Sequence, residues 1–256
     1  MYYNKKYSQT FLINKDKIIN IVKTIIKNKI KYNYLLEIGP GLGNITKKLV
    51  KNINKRYYLV EIDKRFFKFL KKKYKNNNTV IINDSILNIK LENINKYKKF
   101  YIIGNLPYHI SSKLIIWLIN NRNNISKCTC MFQEEFIKNL LYDKLKYNSR
   151  LSLLFNMYYK LKIKNKFLKE DFYPIPKVNS ILVNIMPKNI KYNININKFK
   201  KFIKEIFKYK RKILKNSFKR IYKKKYKYDN PIFYKRPEDL TLNEYLIIYK
   251  IYRNEI

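Results

Sequence analysis

The stretch Gly104-Asn105-Leu106-Pro107-Tyr108 follows the apolar run Lys99-Phe100-Tyr101-Ile102-Ile103. A short apolar run closed by glycine and proline reads as a buried strand that stops abruptly at a loop. The strand end then offers the side-chain amide of Asn105, the backbone carbonyl of Leu106 and the ring of Tyr108, with proline restricting the backbone between them. Such a set suits a flat base that carries an exocyclic amine. The ring stacks, and the two oxygens accept the amine's N–H bonds. The same five residues also fit an ordinary turn with an incidental tyrosine, so the assignment depends on the rest of the chain.

Three more strand ends carry residues of the right kind. Tyr34-Leu35-Leu36-Glu37-Ile38 reads as a strand and runs into Gly39-Pro40-Gly41-Leu42-Gly43-Asn44. The chain has four glycines, and all four stand at Gly39, Gly41, Gly43 and Gly104. Glycine at a strand-to-loop end lets the backbone approach a ligand and take positive φ. The last glycine of the dinucleotide fingerprint is missing, which disfavours a nicotinamide cofactor, and no Lys-Ser/Thr pair follows at P-loop spacing. The next strand, Arg56 to Val60, ends at Glu61, about 20 residues beyond the first glycine, where a strand-end carboxylate meets ribose hydroxyls in Rossmann-type sites. Asp63 suits the role of helix N-terminal acid better than Glu61 does. A further strand, Thr79 to Asn83, delivers Asp84, which can accept from the amine of a bound adenine or cap the next turn.

The elements that must position these groups follow from periodicity. Ile18, Ile21, Val22, Ile25 and Ile26 have helical spacing behind the polar strip Ser8-Gln9-Thr10-Phe11-Leu12, which reads as a lid or a helix lead-in. Ile110, Leu114, Ile115, Trp117 and Leu118 predict a helix that Ser111 or Ser112 can cap. His109, the sole histidine, reads as structural, because no orienting partner lies nearby in sequence. Strands are predicted at Cys128–Phe132, Leu151–Phe155 and Ile181–Ile185, with a helix from Gln133. Before the last strand, Phe172-Tyr173-Pro174-Ile175-Pro176 can hold an aromatic ring rigidly opposite Tyr108, or form a surface hairpin. Strand ends that carry the glycine loop, Glu61, Asp84 and Asn105 place a ligand at the carboxyl edge of an open α/β sheet. Residues 1–187 are read as that domain. After a polar linker, 188–256 are read as a basic helical domain, closed by a helix with a Thr241/Glu244 capping box.

Composition narrows the partners. With 46% hydrophobic residues in 256, a real core is available. Lys and Arg total 58 against 17 acids, a formal charge of +41, which calls for an anionic partner, nucleic acid first. Part of that basicity reflects codon drift, since the chain lacks alanine and is rich in Lys, Asn, Ile and Tyr. No secretory signal and no run of about 18 apolar residues is visible, so no membrane span is expected. Cys128 and Cys130, two apart on a predicted strand, face one side as core filler and fit a reducing, intracellular setting.

Taken together, the motifs QTFL, EIGPGLG, VEID, NDS, GNLPY, FYPIPKVNS, RKILKNS and RPEDLT resemble the KsgA family of ribosomal RNA adenine dimethyltransferases. They run from residue 9 to about 245, nearly the whole chain. The resemblance implies a Rossmann-like class I methyltransferase sheet with a small C-terminal helical domain that docks RNA. It implies S-adenosylmethionine as cofactor, with Gly39 against its methionine part, Glu61 on its ribose and Asp84 on its adenine amine. Asn105 would sit at the methyl-transfer centre, and Thr10 and Leu12 would belong to the N-terminal lid. Asn105 and the Leu106 carbonyl would hold the target adenosine amine, and Tyr108 and Phe172 would sandwich the flipped base. The implied partner is small-subunit ribosomal RNA in an immature small ribosomal subunit, met by a monomer in the cytoplasm or an organelle matrix. The chain departs from the family's pattern at Ser8 and Thr10, which stand where the family has glycine and asparagine, and at His109. Two other readings share the motifs: a large-subunit methyltransferase of the macrolide-resistance type, and a non-catalytic nucleic-acid-binding assembly or transcription factor.

Overall fold

The computed structural model describes residues 9–27, 32–75, 78–141, 149–189, 194–222 and 227–253. Its elements in chain order are β1 (Phe11–Leu12), α1 (Lys15–Ile26), β2 (Tyr34–Ile38), α2 (Thr46–Leu49), β3 (Tyr57–Val60), α3 (Lys64–Lys73) and β4 (Thr79–Ile82). Next come α4 (Leu91–Ile94), β5 (Phe100–Asn105), α5 (Ser111–Asn120), β6 (Ile125–Gln133), α6 (Glu134–Leu140) and α7 (Arg150–Tyr158). The rest are β7 (Tyr159–Phe167), β8 (Phe172–Tyr173), β9 (Ser180–Pro187), α8 (Ile196–Phe207), α9 (Leu214–Ile221) and α10 (Leu242–Arg253).

Seven strands form one sheet in the order β4-β3-β2-β5-β6-β9-β7. The first five are parallel, and β9 runs antiparallel to both of its neighbours. From β2 the chain winds outward through β3 and β4, then returns to lay β5 on the other side of β2. That reversal makes the carboxyl ends of β2 and β5 the switch point at which open α/β sheets bind ligands. The central strands are continuous apolar runs because both faces are covered. Leu35, Leu36, Tyr101 and Ile102 are all fully buried. Gly104 is required by this packing: it pairs with Ile38, and a Cβ there would come within 2.7 Å of the Ile38 carbonyl oxygen.

Local signals account for most boundaries. Asn14 caps α1 by accepting from the Lys17 N–H, and Asp63 caps α3 by accepting from the Arg65 N–H. Ser111 does not cap its helix: it is the first helical residue, and its hydroxyl is buried without a partner among the described residues. Cys128 and Cys130 are free and fully buried on β6, their sulfurs 3.3 Å apart, as core filler requires.

One predicted strand is a helix. Residues 151–155 lie inside α7, which buries Leu153, Leu154, Phe155 and Met157. A short apolar run does not reveal its own period, and arginine, leucine and methionine without β-branched residues leave helix as the favoured state. The strand of this region comes next, as β7, with Lys160, Lys162, Lys164 and Lys166 along it. Those lysines hid it in the sequence, and they suit its position, because β7 is the edge of the sheet and charge there opposes edge-to-edge pairing.

The described residues divide into two compact units. One comprises residues 1–138 and 159–187; the other comprises 139–158 and 188–256. The second unit thus takes in α7, an excursion from the first that no linker composition announces. Its core is aromatic, with Phe199 edge-on to Tyr249 at 4.9 Å and Phe218 edge-on to Phe233 at 5.2 Å. The expected Thr241/Glu244 capping box is formed: the Thr241 N–H donates to the Glu244 carboxylate at 2.7 Å, and the Glu244 N–H to the Thr241 hydroxyl at 3.2 Å. Among the described residues no helix is long and apolar enough to cross a membrane.

Candidate active site

A cleft of about 130 Å³ opens at the carboxyl ends of β2 and β5. Thr10, Leu12, Gly39, Glu61, Asp84 and Asn105 all line it. Its floor is the glycine loop, where Gly39, Gly41 and Gly43 have φ of +62°, +53° and +74°. Side chains rarely adopt that backbone, and at Gly41 a Cβ would also press to 3.0 Å from the Phe11 ring.

Glu61 is held as an acceptor. One carboxylate oxygen takes the Gly41 N–H at 3.0 Å and the other the Asp63 N–H at 2.9 Å. The carboxylate keeps acceptor capacity for a ligand hydroxyl. Burial pushes this carboxyl up from its ordinary value, and the backbone N–H groups of Asp63, Gly41 and Ile62 oppose the shift. Asp63 behaves in the opposite way: Arg65 beside it holds its carboxyl down at about 2. Asp84 is exposed at the rim, where it accepts from the Ser85 N–H and the Asn88 side chain. It therefore organises the turn after β4 while facing the cleft.

Asn105 ends β5, half-buried, and its amide nitrogen donates to the Thr10 carbonyl at 3.0 Å. That bond turns the amide oxygen away from Thr10 and leaves it free to accept. The contact uses the Thr10 backbone, so the threonine in place of asparagine leaves it intact. The N-terminal strip is tied down along its length. Gln9 donates to Asp63 at 2.9 Å, Asn44 donates to the Leu12 carbonyl at 3.0 Å, and β1 pairs with β8. Gln9 and Asn44 were not singled out in the sequence, although both stand inside motifs that were. Ile62 and Ile86 add apolar walls, the first 46% exposed. His109 also lines the cleft, exposed and without a hydrogen-bond partner among the described residues, so it is not a packed core residue.

The residues expected to clamp a base divide. Leu106 and Tyr108 lie beyond the cleft wall. The Leu106 side chain is buried, so only its backbone can serve a ligand. Tyr108 is half-buried, its hydroxyl 2.7 Å from that of Ser180, which fixes the ring against the end of the Pro-x-Pro loop. Phe172 does not form the second half of a sandwich. Its ring is 1% exposed and belongs to the core with Leu12, Phe167 and Leu182. Alternation along β8 sends Phe172 inward and Tyr173 outward, the latter 60% exposed.

Glu37 also lines the cleft; it is buried and accepts from the Thr46 hydroxyl at 2.8 Å and from the Tyr57 hydroxyl. Burial pushes its carboxyl up to about 7, against the opposing pull of those two hydroxyls. The folded chain thus holds a proton that the unfolded chain releases near 4.5. The stability this group contributes is complete below 4.5 and is lost as pH rises toward 7, by up to about 1.4 kcal/mol per pH unit. Glu37→Gln removes that dependence. In urea titrations from pH 4.5 to 8, the wild type is expected to lose ground to the variant through this window. Parallel profiles would remove Glu37 as the titrating group.

The arrangement is compatible with S-adenosylmethionine. A carboxylate with spare lone pairs faces the cleft for a ribose diol, apolar Ile62 and Ile86 flank a flat ring, Asp84 stands at the rim for an amine, and the glycine backbone lies bare. Comparison with known proteins agrees. A family model described as ribosomal RNA adenine dimethylase matches residues 2–245. The ribosomal RNA small subunit methyltransferase A of Buchnera aphidicola subsp. Acyrthosiphon pisum is 37% identical over 220 residues, 83% of this chain and 79% of that one. Its counterpart from Metamycoplasma arthritidis is 34% identical over 258 residues, 98% and 96% of the two chains. Among solved structures, a dimethyladenosine transferase from Plasmodium falciparum superposes with a TM-score of 0.78 at 26% identity, covering 96% of this chain and 98% of that one. The 23S rRNA methyltransferase ErmE shares the fold, with a TM-score of 0.68 at 19% identity over 94% and 98% of the two chains.

Proposed function

This chain belongs to the ribosomal RNA adenine dimethylase family, and we propose that it dimethylates N6 of two adjacent adenosines near the 3′ end of small-subunit ribosomal RNA. The observation that carries the reading is the Asn105 amide, fixed by Thr10 with its oxygen free at the mouth of the cleft. The names of the relatives favour the small subunit over the large.

S-adenosylmethionine, when bound, supplies a methyl group on a positively charged sulfur, open to attack by an electron pair. The adenosine amine is a poor nucleophile because its lone pair is spread into the ring. Acceptance of its N–H bonds by the Asn105 oxygen and the Leu106 carbonyl draws that pair back onto nitrogen. As the nitrogen–methyl bond would form, the methyl–sulfur bond would break to leave a neutral thioether, and the now acidic nitrogen would lose its proton to water, so no strong base is required and His109 is left outside the chemistry. Holding the amine in line contributes through proximity, an effect worth about 7–11 kcal/mol in favourable systems. A second transfer needs only the one remaining N–H and room for a methyl. Tyr108 is the ring on which the flipped base stacks, worth about 1–3 kcal/mol per base. The basic C-terminal unit docks the RNA, with Lys210, Arg211 and Lys212 exposed after α8. One chain supplies every residue named, and the reaction belongs wherever small subunits mature.

Glu61→Ala removes the acceptor for the ribose hydroxyls and is expected to weaken S-adenosylmethionine binding by about 1.5–3 kcal/mol. Calorimetry that finds unchanged affinity would take Glu61 out of the site. The reading as a whole is tested with methyl-labelled cofactor and unmethylated ribosomal subunits. Label is expected in the small subunit only. Label in the large subunit would favour the macrolide-resistance type, and label in neither would favour a non-catalytic binding factor.

A further inference from the structure

A second groove lies between α1 and the stretch from Asn44 to Asn52, lined by Ile13, Ile19, Lys15, Lys23, Lys47, Lys48 and Lys51 among others. The five lysines are exposed, and among the described residues none is in an ion pair. No carboxylate lines the groove, although Asp16 stands beside Lys15 on α1. Ile13, Ile18, Ile19 and Val22 give it an apolar part, and Ile13 is 53% exposed. The groove meets the cleft through Asn44, which lines both and ties down β1 by donating to the Leu12 carbonyl.

We propose that this groove carries the single-stranded stretch of RNA that flanks the target adenosine, its phosphates on the lysines and its sugar and base faces against Ile13 and Ile19. The inference rests on the RNA methyltransferase reading above. Proteins that track single strands without reading sequence use a positively charged groove that follows the backbone; here isoleucines, not aromatic rings, line it. Codon drift explains many lysines, but it does not explain two elements that turn five of them toward one acid-free groove that shares Asn44 with the cleft. A base turned toward Asn105 leaves its own stack, and the strand on either side of it must run along the surface beside the cleft.

The test is a salt titration of binding to a 3′ fragment of small-subunit RNA, together with KM and kcat for methyl transfer. The variants are K47Q/K48Q/K51Q and, on the facing helix, K15E/K23E. The control is K71Q/K72Q/K73Q, which matches the charge change of the first variant at the exposed end of α3. Each lost phosphate contact lowers the slope of log affinity against log salt by about 0.7. The first variant is expected to flatten the slope by about 2 units and raise KM for RNA at least tenfold, with kcat and cofactor affinity unchanged. K15E/K23E is expected to raise KM as well, and the control to behave as wild type. Unchanged slopes in both groove variants, or an equal change in the control, would overturn the proposal, as would loss of binding to anionic phosphatidylglycerol vesicles in place of RNA. Binding is read without turnover. Failure of the wild type to transfer methyl groups would therefore count against the catalytic reading alone.

Discussion

Asn105→Ala is expected to lower methyl transfer by about 10²–10³-fold, the loss that follows removal of one positioned polar group at a reacting centre. The side chain lies at the end of β5, half-buried and tied to the Thr10 carbonyl, so its removal costs the fold only about 0.5–1.5 kcal/mol. Cofactor affinity should stay within a few-fold, because Glu61 and the glycine loop are untouched. The measurement is single-turnover transfer to unmethylated small subunits, with calorimetric cofactor binding beside it. Near wild-type transfer with normal binding would mean that the amine is held by something else. Failure of both would show that the residue holds the cofactor rather than the base.

Phe172→Ala is expected to destabilise the chain by about 3–5 kcal/mol, the usual range for emptying a fully buried phenylalanine site. The ring packs 6.4 Å from that of Phe167, and Phe172 pairs with Leu12 across the β1–β8 ladder, so the change also loosens the N-terminal strip. For a chain of this size each kcal/mol lowers the melting temperature by roughly 2–4 °C. Phe172→Leu separates packing from stacking. A core residue gives a small fall in melting temperature and nearly normal kcat/KM under permissive conditions. A base-stacking residue gives the reverse, a normal melting curve with impaired transfer.

These two residues mark what was legible in the sequence and what was not. Asn105 could be placed because a strand that ends in Gly-Asn-Leu-Pro-Tyr leaves its amide at the sheet's edge whatever surrounds it. The same holds for Glu61 and Gly39: in a chain with so few glycines, those at strand ends have few other reasons to be there. Phe172 failed because side-chain direction in a two-residue strand is settled by its partner, β1, which lies about 160 residues earlier in the chain. Alternation was available in principle, but nothing local said which phase faced the core. The helix at 150–158 failed for a related reason, since a short leucine-rich run fits either state until its neighbours choose. The β7 edge strand was masked by its lysines, which report on its exposure rather than its backbone. Glu37, Gln9 and Asn44 needed tertiary contacts to acquire their roles, because each acts through groups far away in sequence.

Digestion of small-subunit RNA to nucleosides, followed by mass spectrometry, tests the central claim most directly. Small subunits that lack the modification are incubated with this chain and S-adenosylmethionine before digestion. The account predicts N6,N6-dimethyladenosine at two residues per subunit, in adjacent positions near the 3′ end, with none formed by the Asn105→Ala chain. Unmodified adenosine throughout, or methyl groups on another atom or base, would contradict it.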